Sequence, residues 1–459
     1  MDTLIRKFTS IFLVFISGIL TLSPGLNAQH AVATLCGTGN QGVPFSGPNG
    51  LCITPDGATI YAVDYSSHQI FRITVSAGTV IPIAGSPTPG YVDGSISNAR
   101  FYYPSGIKIS STGNEIYVAD NANCLIRKID LANSFVSTVA GVYNAYDFAD
   151  SSNGNFAKFN QPVDLVIAPG DSIIYISDSE NHVIRQLNLN TTAVSTVAGT
   201  PTVLGLVDGP SATAKFRNPG GLALSSDGTM LYVADAGNHC IRKIDLATNI
   251  TTTLAGTGTP GNVDALTGTQ ASFNIPQGVS ALANDSLLYV MDTFNNLIRS
   301  INLTTSSVTT IAGSVSTPQL HFADNLNGLL SKFYHPVNGI LSPDMQKLFI
   351  TDQENFRIRI MNTDVVFTII NEQQATQHAG IFPNPASGLH DIFFQTSLTG
   401  VVEITSFNLL LQETQFLKLM IGQPGEIVRL PASMFNSGVN IIRISNQLNT
   451  IYEKLIIEK

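Results

Sequence analysis

Six aspartates close six short apolar runs: Asp64, Asp120, Asp178, Asp235, Asp292 and Asp352. Arginines follow five of them, at Arg127, Arg185, Arg242, Arg299 and Arg359, and His68, His182 and His239 each stand four residues after an aspartate. Acids beside cations are the raw material of acid–base chemistry, and three imidazoles that of a zinc site. Regular repetition argues against both. One active site has no use for six identical acids, so the expectation is local Asp–Arg pairing and Asp side chains bonding turn amides. As exposed pairs these would contribute about 0–1 kcal/mol each. The histidines lie on separate copies of the unit, out of reach of one ion, and read as turn residues.

Positions that break the repetition are better candidates. Asp164 and Asn338 replace the glycine of a recurring Pro-x-Gly opening, and Tyr103 and His335 precede their prolines in the same element. A carboxylate, an imidazole and an amide converging there would suit a calcium ion or a polar ligand. Ordinary drift of loop sequence is the competing reading. No cofactor is implied beyond that possible calcium. Nucleophile elbow, Walker loop, dinucleotide fingerprint and His-Glu-x-x-His are all missing from the sequence.

The elements that must hold these residues follow from the repeat. Ile116-Tyr-Val-Ala-Asp120, Ile174-Tyr-Ile-Ser-Asp178, Leu231-Tyr-Val-Ala-Asp235 and Leu288-Tyr-Val-Met-Asp292 set the theme, and Ile60-Tyr-Ala-Val-Asp64 and Leu348-Phe-Ile-Thr-Asp352 vary it. Successive aspartates are 56, 58, 57, 57 and 60 residues apart. A Phe-x-x-Pro-x-Gly-like run precedes each aspartate, an Asn-His-Cys-Ile-Arg-like run follows it, and a Val-Ser-Thr-Val-Ala-Gly-like run completes the unit. That makes four short strands per copy, separated by Gly, Pro, Asn and Asp turns. Tyr117, Val118 and Ala119 are consecutive and apolar, so both faces of the second strand need cover. Radial stacking supplies it. Strand parity puts the aspartate turns and the long insertions after Ala-Gly on one rim. The insertions repeat Asp93, Asp150, Asp208, Asp264 and Asp324, and loops on one end of a rigid scaffold are where function usually sits. Either residues 31–37 or residues 365–370 close the last unit, the former slightly favoured.

These motifs together resemble NHL repeats over roughly residues 31–370, departing in the long insertions and in Phe71, which stands where other copies carry arginine. The resemblance implies a six-bladed β-propeller at 29–371. The chain does not reproduce the three-histidine zinc arrangement of the amidating-lyase propellers that share this repeat.

Both ends carry other signals. Arg6 and Lys7 precede an apolar run from Phe8 to Leu22, then Pro24-Gly25 and Leu26-Asn27-Ala28, the pattern of a secretory signal over residues 1–28. No later stretch has the apolar length to span a bilayer. Residues 372–380 read as a polar linker. Beyond it, Pro383-Asn384-Pro385 and Gly388 open a run of strand-like segments ending in Glu453-Lys-Leu-Ile-Ile-Glu-Lys459. This resembles the type A sorting domain of the Bacteroidota type IX secretion system, at 381–459, and alone reads as a small β-sandwich. The resemblance implies the type IX machinery as a partner and a released or surface-attached product.

Charge narrows the partners. The formal net charge is −9 with no basic stripe, so nucleic acid is excluded as a partner. Cys36, Cys52, Cys124 and Cys240 read as free thiols, Cys240 as a small buried hydrophobe. The leading functional expectation is a non-catalytic, monomeric, secreted or surface binding scaffold for an extracellular protein, peptide or glycan. The competing reading is a hydrolase or lyase with a divalent metal in the central funnel, and a third is a passive surface element.

Overall fold

The computed structural model describes residues 30–363 apart from 40–43, 284 and 316–321, and beyond these the backbone of the strands within 379–458. Four-stranded antiparallel units recur six times, with innermost strands at Pro48–Ile53, Pro104–Ile109, Pro162–Ile167, Pro219–Leu224, Gly278–Ala281 and Pro336–Leu341. We number the units blades 1–6 in that order. Each innermost strand contacts that of the next blade, and the sixth contacts the first, which closes the ring. The chain is all-β, and its only helices among the described residues are single 3-10 turns.

Why the sequence needs a ring is visible in its core, which is divided into six clusters, one at each blade junction. In the second strand of blade 2, Ile116 and Val118 pack toward blade 1 while Tyr117 and Ala119 pack toward blade 3. Each blade thus buries both faces against its neighbours, the cover a lone sheet lacks. The strand Val32–Cys36 pairs antiparallel with Arg357–Asn362 and supplies the outermost strand of blade 6. The first and last strands of the ring therefore share one sheet. Arg357 locks that seam by donating to the carbonyls of Gly37 and Thr38 at 2.9 Å each.

The long insertions start beside the aspartate turns, on the rim that strand parity gives them: Asn144 donates to the Asn123 carbonyl and Thr202 to that of Asn181. They fold back on the outer edge of the following blade: Gly94–Ser95 pairs with Phe135–Ala140 and Gly209–Pro210 with Ile250–Ala255. Single bridges do the same in blades 3, 5 and 6. A short fifth strand shields an edge that would otherwise template aggregation.

Distal to the ring, the described strands form a three-stranded and a five-stranded sheet, within Ala379–Glu458. Residues 1–28, the 372–378 part of the linker, Pro383, Asn384, Pro385 and Gly388 lie outside the described residues. No helix among the described residues is long and apolar enough to cross a membrane.

Candidate functional site

The repeated aspartates and arginines are interior scaffolding. Asp120 and Arg127 are both fully buried, and Arg127 donates through Nη1 to Asp120 at 2.7 Å and through Nη2 to Asp93 of the preceding insertion at 2.6 Å. The Phe101 ring lies under the guanidinium at 5.0 Å. Blades 3–6 repeat the arrangement around Arg185, Arg242, Arg299 and Arg359. The expectation of exposed, weak pairs is corrected here: desolvation makes these interactions costly to break from one side. Burial pushes the carboxyls of Asp120, Asp178, Asp235 and Asp292 up to about 6, against the hydrogen bonds they accept and the pull of their arginines. Blade 1 solves the same problem differently. Phe71 packs edge-on against Phe45 at 5.4 Å, and Asp64, without an arginine, accepts the backbone amides of Ser46, Gly47 and Ser67.

Left-handed residues stitch adjacent blades together. His68 Nδ1 accepts the amide of Tyr103 at 3.1 Å, His182 that of Asn218 at 3.3 Å, and His239 that of Ile275 at 3.1 Å. Asn296 Oδ1 accepts the amide of His335 at 2.9 Å, and the Cys124 sulfur takes that of Gln161. Acceptor and donor residues alike have φ near +50 to +60°. Tyr103 and His335, singled out from sequence, therefore act through their backbones in this clasp. An Nδ1 that accepts must be unprotonated, and burial lowers the pKa of His68 and His239 in that direction.

The four repeat-breaking residues are not brought together. Tyr103 lies in blade 2, Asp164 in blade 3, and His335 and Asn338 in blade 6. Asp164 Oδ2 accepts the Leu222 amide of blade 4 at 3.0 Å, and Lys108 Nζ of blade 2 stands 3.8 Å from Oδ1. Lys108 thus stands as the cation beside Asp164, while Asp164 Oδ1 and Asn338 Oδ1 are buried without a hydrogen-bond partner. No group of three His, Cys, Asp or Glu residues able to hold a metal occurs among the described residues. A compensating signal escaped the sequence reading. Where the inner strand carries Asp164 or Asn338, the facing second-strand residue is a hydroxyl, Ser177 or Thr351, which accepts the displaced backbone amide at 2.9 Å. Where it carries Gly106 or Gly221, that residue is Ala119 or Ala234. All four cysteines are buried and unpaired.

What does open on the aspartate rim is the channel mouth, a cavity of about 710 Å³ walled by every blade. One amide side chain comes from each: Asn49, Asn121, Gln161, Asn218, Gln277 and Gln353. Asn121 donates to the Pro162 carbonyl and Asn218 to Glu180. The side-chain amides of the other four have no hydrogen bond among the described residues and line the open cavity. Glu180, Glu354 and Arg217 give the wall charges of both signs.

Tyr65 lines this mouth and begins an aromatic track. It stacks on Tyr103 at 4.5 Å, and Tyr103 on Tyr102 at 4.8 Å. Further out, Tyr143 stacks on Tyr91 at 4.9 Å. Burial raises the pKa of the Tyr146 phenol, and the neighbouring Cys124, Tyr102 and Tyr143 add to the shift. The Tyr146 hydroxyl donates to the Ala122 carbonyl at 2.8 Å, fixing it on the same rim. Tyr91, Tyr143 and Tyr146 are 37, 53 and 43% exposed.

Comparison with known proteins agrees with this architecture. The family model described as "NHL repeat" matches residues 101–129 and 216–244. NHL repeat-containing protein 2 of Homo sapiens is 30% identical over 344 residues, covering 56% of this chain and 47% of the human protein. Protein SUPPRESSOR OF QUENCHING 1 of Arabidopsis thaliana is 28% identical over 330 residues, 70% of this chain and 30% of its own length. The chain thus spans about half the length or less of these curated relatives. Among solved structures, an auxiliary nutrient binding protein from Bacteroides thetaiotaomicron superposes with a TM-score of 0.55 at 15% identity, covering 73% of this chain and 76% of that one. The chain is an all-β, six-bladed propeller built from NHL repeats.

Proposed function

We propose that this protein is a non-catalytic binding scaffold whose ligand docks at the channel mouth on the aspartate rim. The observation that carries the reading is the ring of amide side chains, four of them unused by the fold, around a cavity that every blade walls. Donors and acceptors that the fold leaves unused, on a strand at Asn49 and directly beside one at Gln161, Gln277 and Gln353, are pre-organised for recognition. The likeness in fold to a nutrient binding protein supports the same reading.

Export completes the proposal. The signal pattern of residues 1–28 and the Pro383-Asn384-Pro385, Gly388 opening support passage through the type IX machinery to a secreted or cell-surface location. Arrays of extracellular glycans and peptides probed with the intact protein test the binding role. Saturable binding that Gln277→Ala with Gln353→Ala abolishes supports it, and a protein that saturates with nothing on either array overturns it. Deleting residues 381–459 is expected to trap the propeller inside the cell envelope, and unchanged release would overturn the export route.

A further inference from the structure

We propose that the propeller face opposite the aspartate rim holds a second binding site, for a small neutral molecule with an apolar body and a hydroxyl-bearing end. The cavity there encloses about 390 Å³, the scale of a small-molecule site. Blades 2–6 wall it, and it opens beside the turn at 168–171, which leads into the second strand of blade 3 at the end remote from Asp178. It is thus separate from the mouth, which gathers at the other end of the same strands.

One position of the innermost strand sets the character of this cavity. It is the residue paired with the second-strand aromatic: Lys108 with Tyr117, Val166 with Tyr175, Ala223 with Tyr232, Ser280 with Tyr289 and Ile340 with Phe349. Blade 1 has Cys52 opposite Tyr61. Blades 1, 3, 4 and 6 therefore keep a small or apolar residue there, as packing between blades requires. Blades 2 and 5 depart from the repeat with an ammonium and a hydroxyl. The Lys108 side chain is 14% exposed and Ser280 is buried, and neither side chain has a hydrogen bond among the described residues. Asp164 Oδ1 stands 3.8 Å from Lys108 Nζ, near enough to balance its charge and too far to take a hydrogen bond. A nearly buried ammonium is left with its charge met and its donors unused, beside an apolar wall that includes Val166, Ala223, Leu224, Val279 and Ile340.

Those groups select the ligand. Lys108 calls for an oxygen acceptor, and the Ser280 hydroxyl both donates and accepts. A hydroxyl-bearing end meets both, while the apolar wall covers a hydrocarbon body. A carboxylate would bring a second negative charge beside Asp164 and leave the site with an unbalanced charge away from water. An ammonium would face Lys108 directly. A neutral molecule avoids both penalties.

The test is titration calorimetry of the intact protein with hexane-1,2-diol, hexanoate and hexylammonium, one hydrocarbon body under three heads. The diol is expected to saturate and to bind tighter than either charged probe. Ser280→Ala copies the alanine of blade 4, so it should fold normally yet weaken the diol about three- to tenfold, the loss of one hydrogen bond. Lys108→Met should weaken it at least as much. That variant strands Asp164, so its melting temperature is read alongside, and Ser280→Ala decides alone where it unfolds. Gln277→Ala with Gln353→Ala, at the mouth, should leave diol binding unchanged. Saturation by none of the three probes overturns the site. A charged probe that binds tighter than the diol overturns the neutral assignment. Diol binding indifferent to Ser280→Ala, or lost in the mouth variant, overturns the placement.

Discussion

Replacing Arg242 by methionine is the sharpest test of how the propeller is held together. The guanidinium donates to Asp235 at 2.9 Å, to the carbonyls of Lys215 and Val207 at 2.9 Å each, and to Asp208 at 2.7 Å, with Phe216 beneath it at 4.9 Å. Methionine fills much of the volume but supplies no donor. Asp235 is then a carboxylate with no exposure, left with Asn238 and the Arg217 amide. Stranding a buried charge in this way costs about 3–5 kcal/mol. At about 1–2 °C per kcal/mol for a domain of this size, the melting temperature should fall by about 3–10 °C. Adding Asp235→Asn removes the stranded charge and should recover a large part of the loss at pH 7. Calorimetry or denaturant titration of wild type and of the single and double variants reads all three states. A loss below about 1 kcal/mol for Arg242→Met would mean the pair behaves as an exposed one, and the argument from burial would fail. So would a double variant no more stable than the single at pH 7.

Three further outcomes follow from the same structure. His239→Asn copies the natural clasp of Asn296 and should match wild type at pH 7. Because the His239 pKa is lowered in the folded state, its contribution to wild-type stability is present above about pH 6.5 and lost as pH falls through the folded value, so the variant should melt higher at pH 5 relative to wild type; equal pH profiles would refute the clasp. Ser177→Ala removes the hydroxyl that accepts the Asp164 amide and should cost about 1–3 kcal/mol in denaturant titration, whereas Ala119→Ser, at the equivalent place opposite Gly106, should gain nothing comparable. Gly106→Ala would set a methyl group 2.7 Å from the Asp164 Cα and 2.8 Å from the Val163 carbonyl, both backbone, so a marked drop in melting temperature is expected although alanine is the smaller change chemically.

Several of these features were legible in the residues alone. A five-fold repeated interval near 57 residues, with consecutive apolar residues in every second strand, leaves a radial stack as the arrangement that buries both faces, and the spare Ala31–Gly37 run was the slightly favoured of two candidates for the closing strand, beside residues 365–370. Periodicity is a local property, and local chemistry carries it. Burial and convergence are not local. The Asp–Arg pairs looked like surface pairs because nothing in a strand's own sequence shows that an insertion from the preceding blade, through Asp93 or Asp208, folds over them. Tyr103 and His335 were chosen for their side chains, yet what they contribute is an amide in a left-handed backbone, a geometry that the following proline hints at but does not fix. The mouth amides come from six separate stretches of chain, so only closure of the ring brings them to one surface. Sequence determined the unit and its number. Tertiary structure decided which side chains the fold consumes and which it leaves for a ligand, because that division depends on what each neighbouring blade covers.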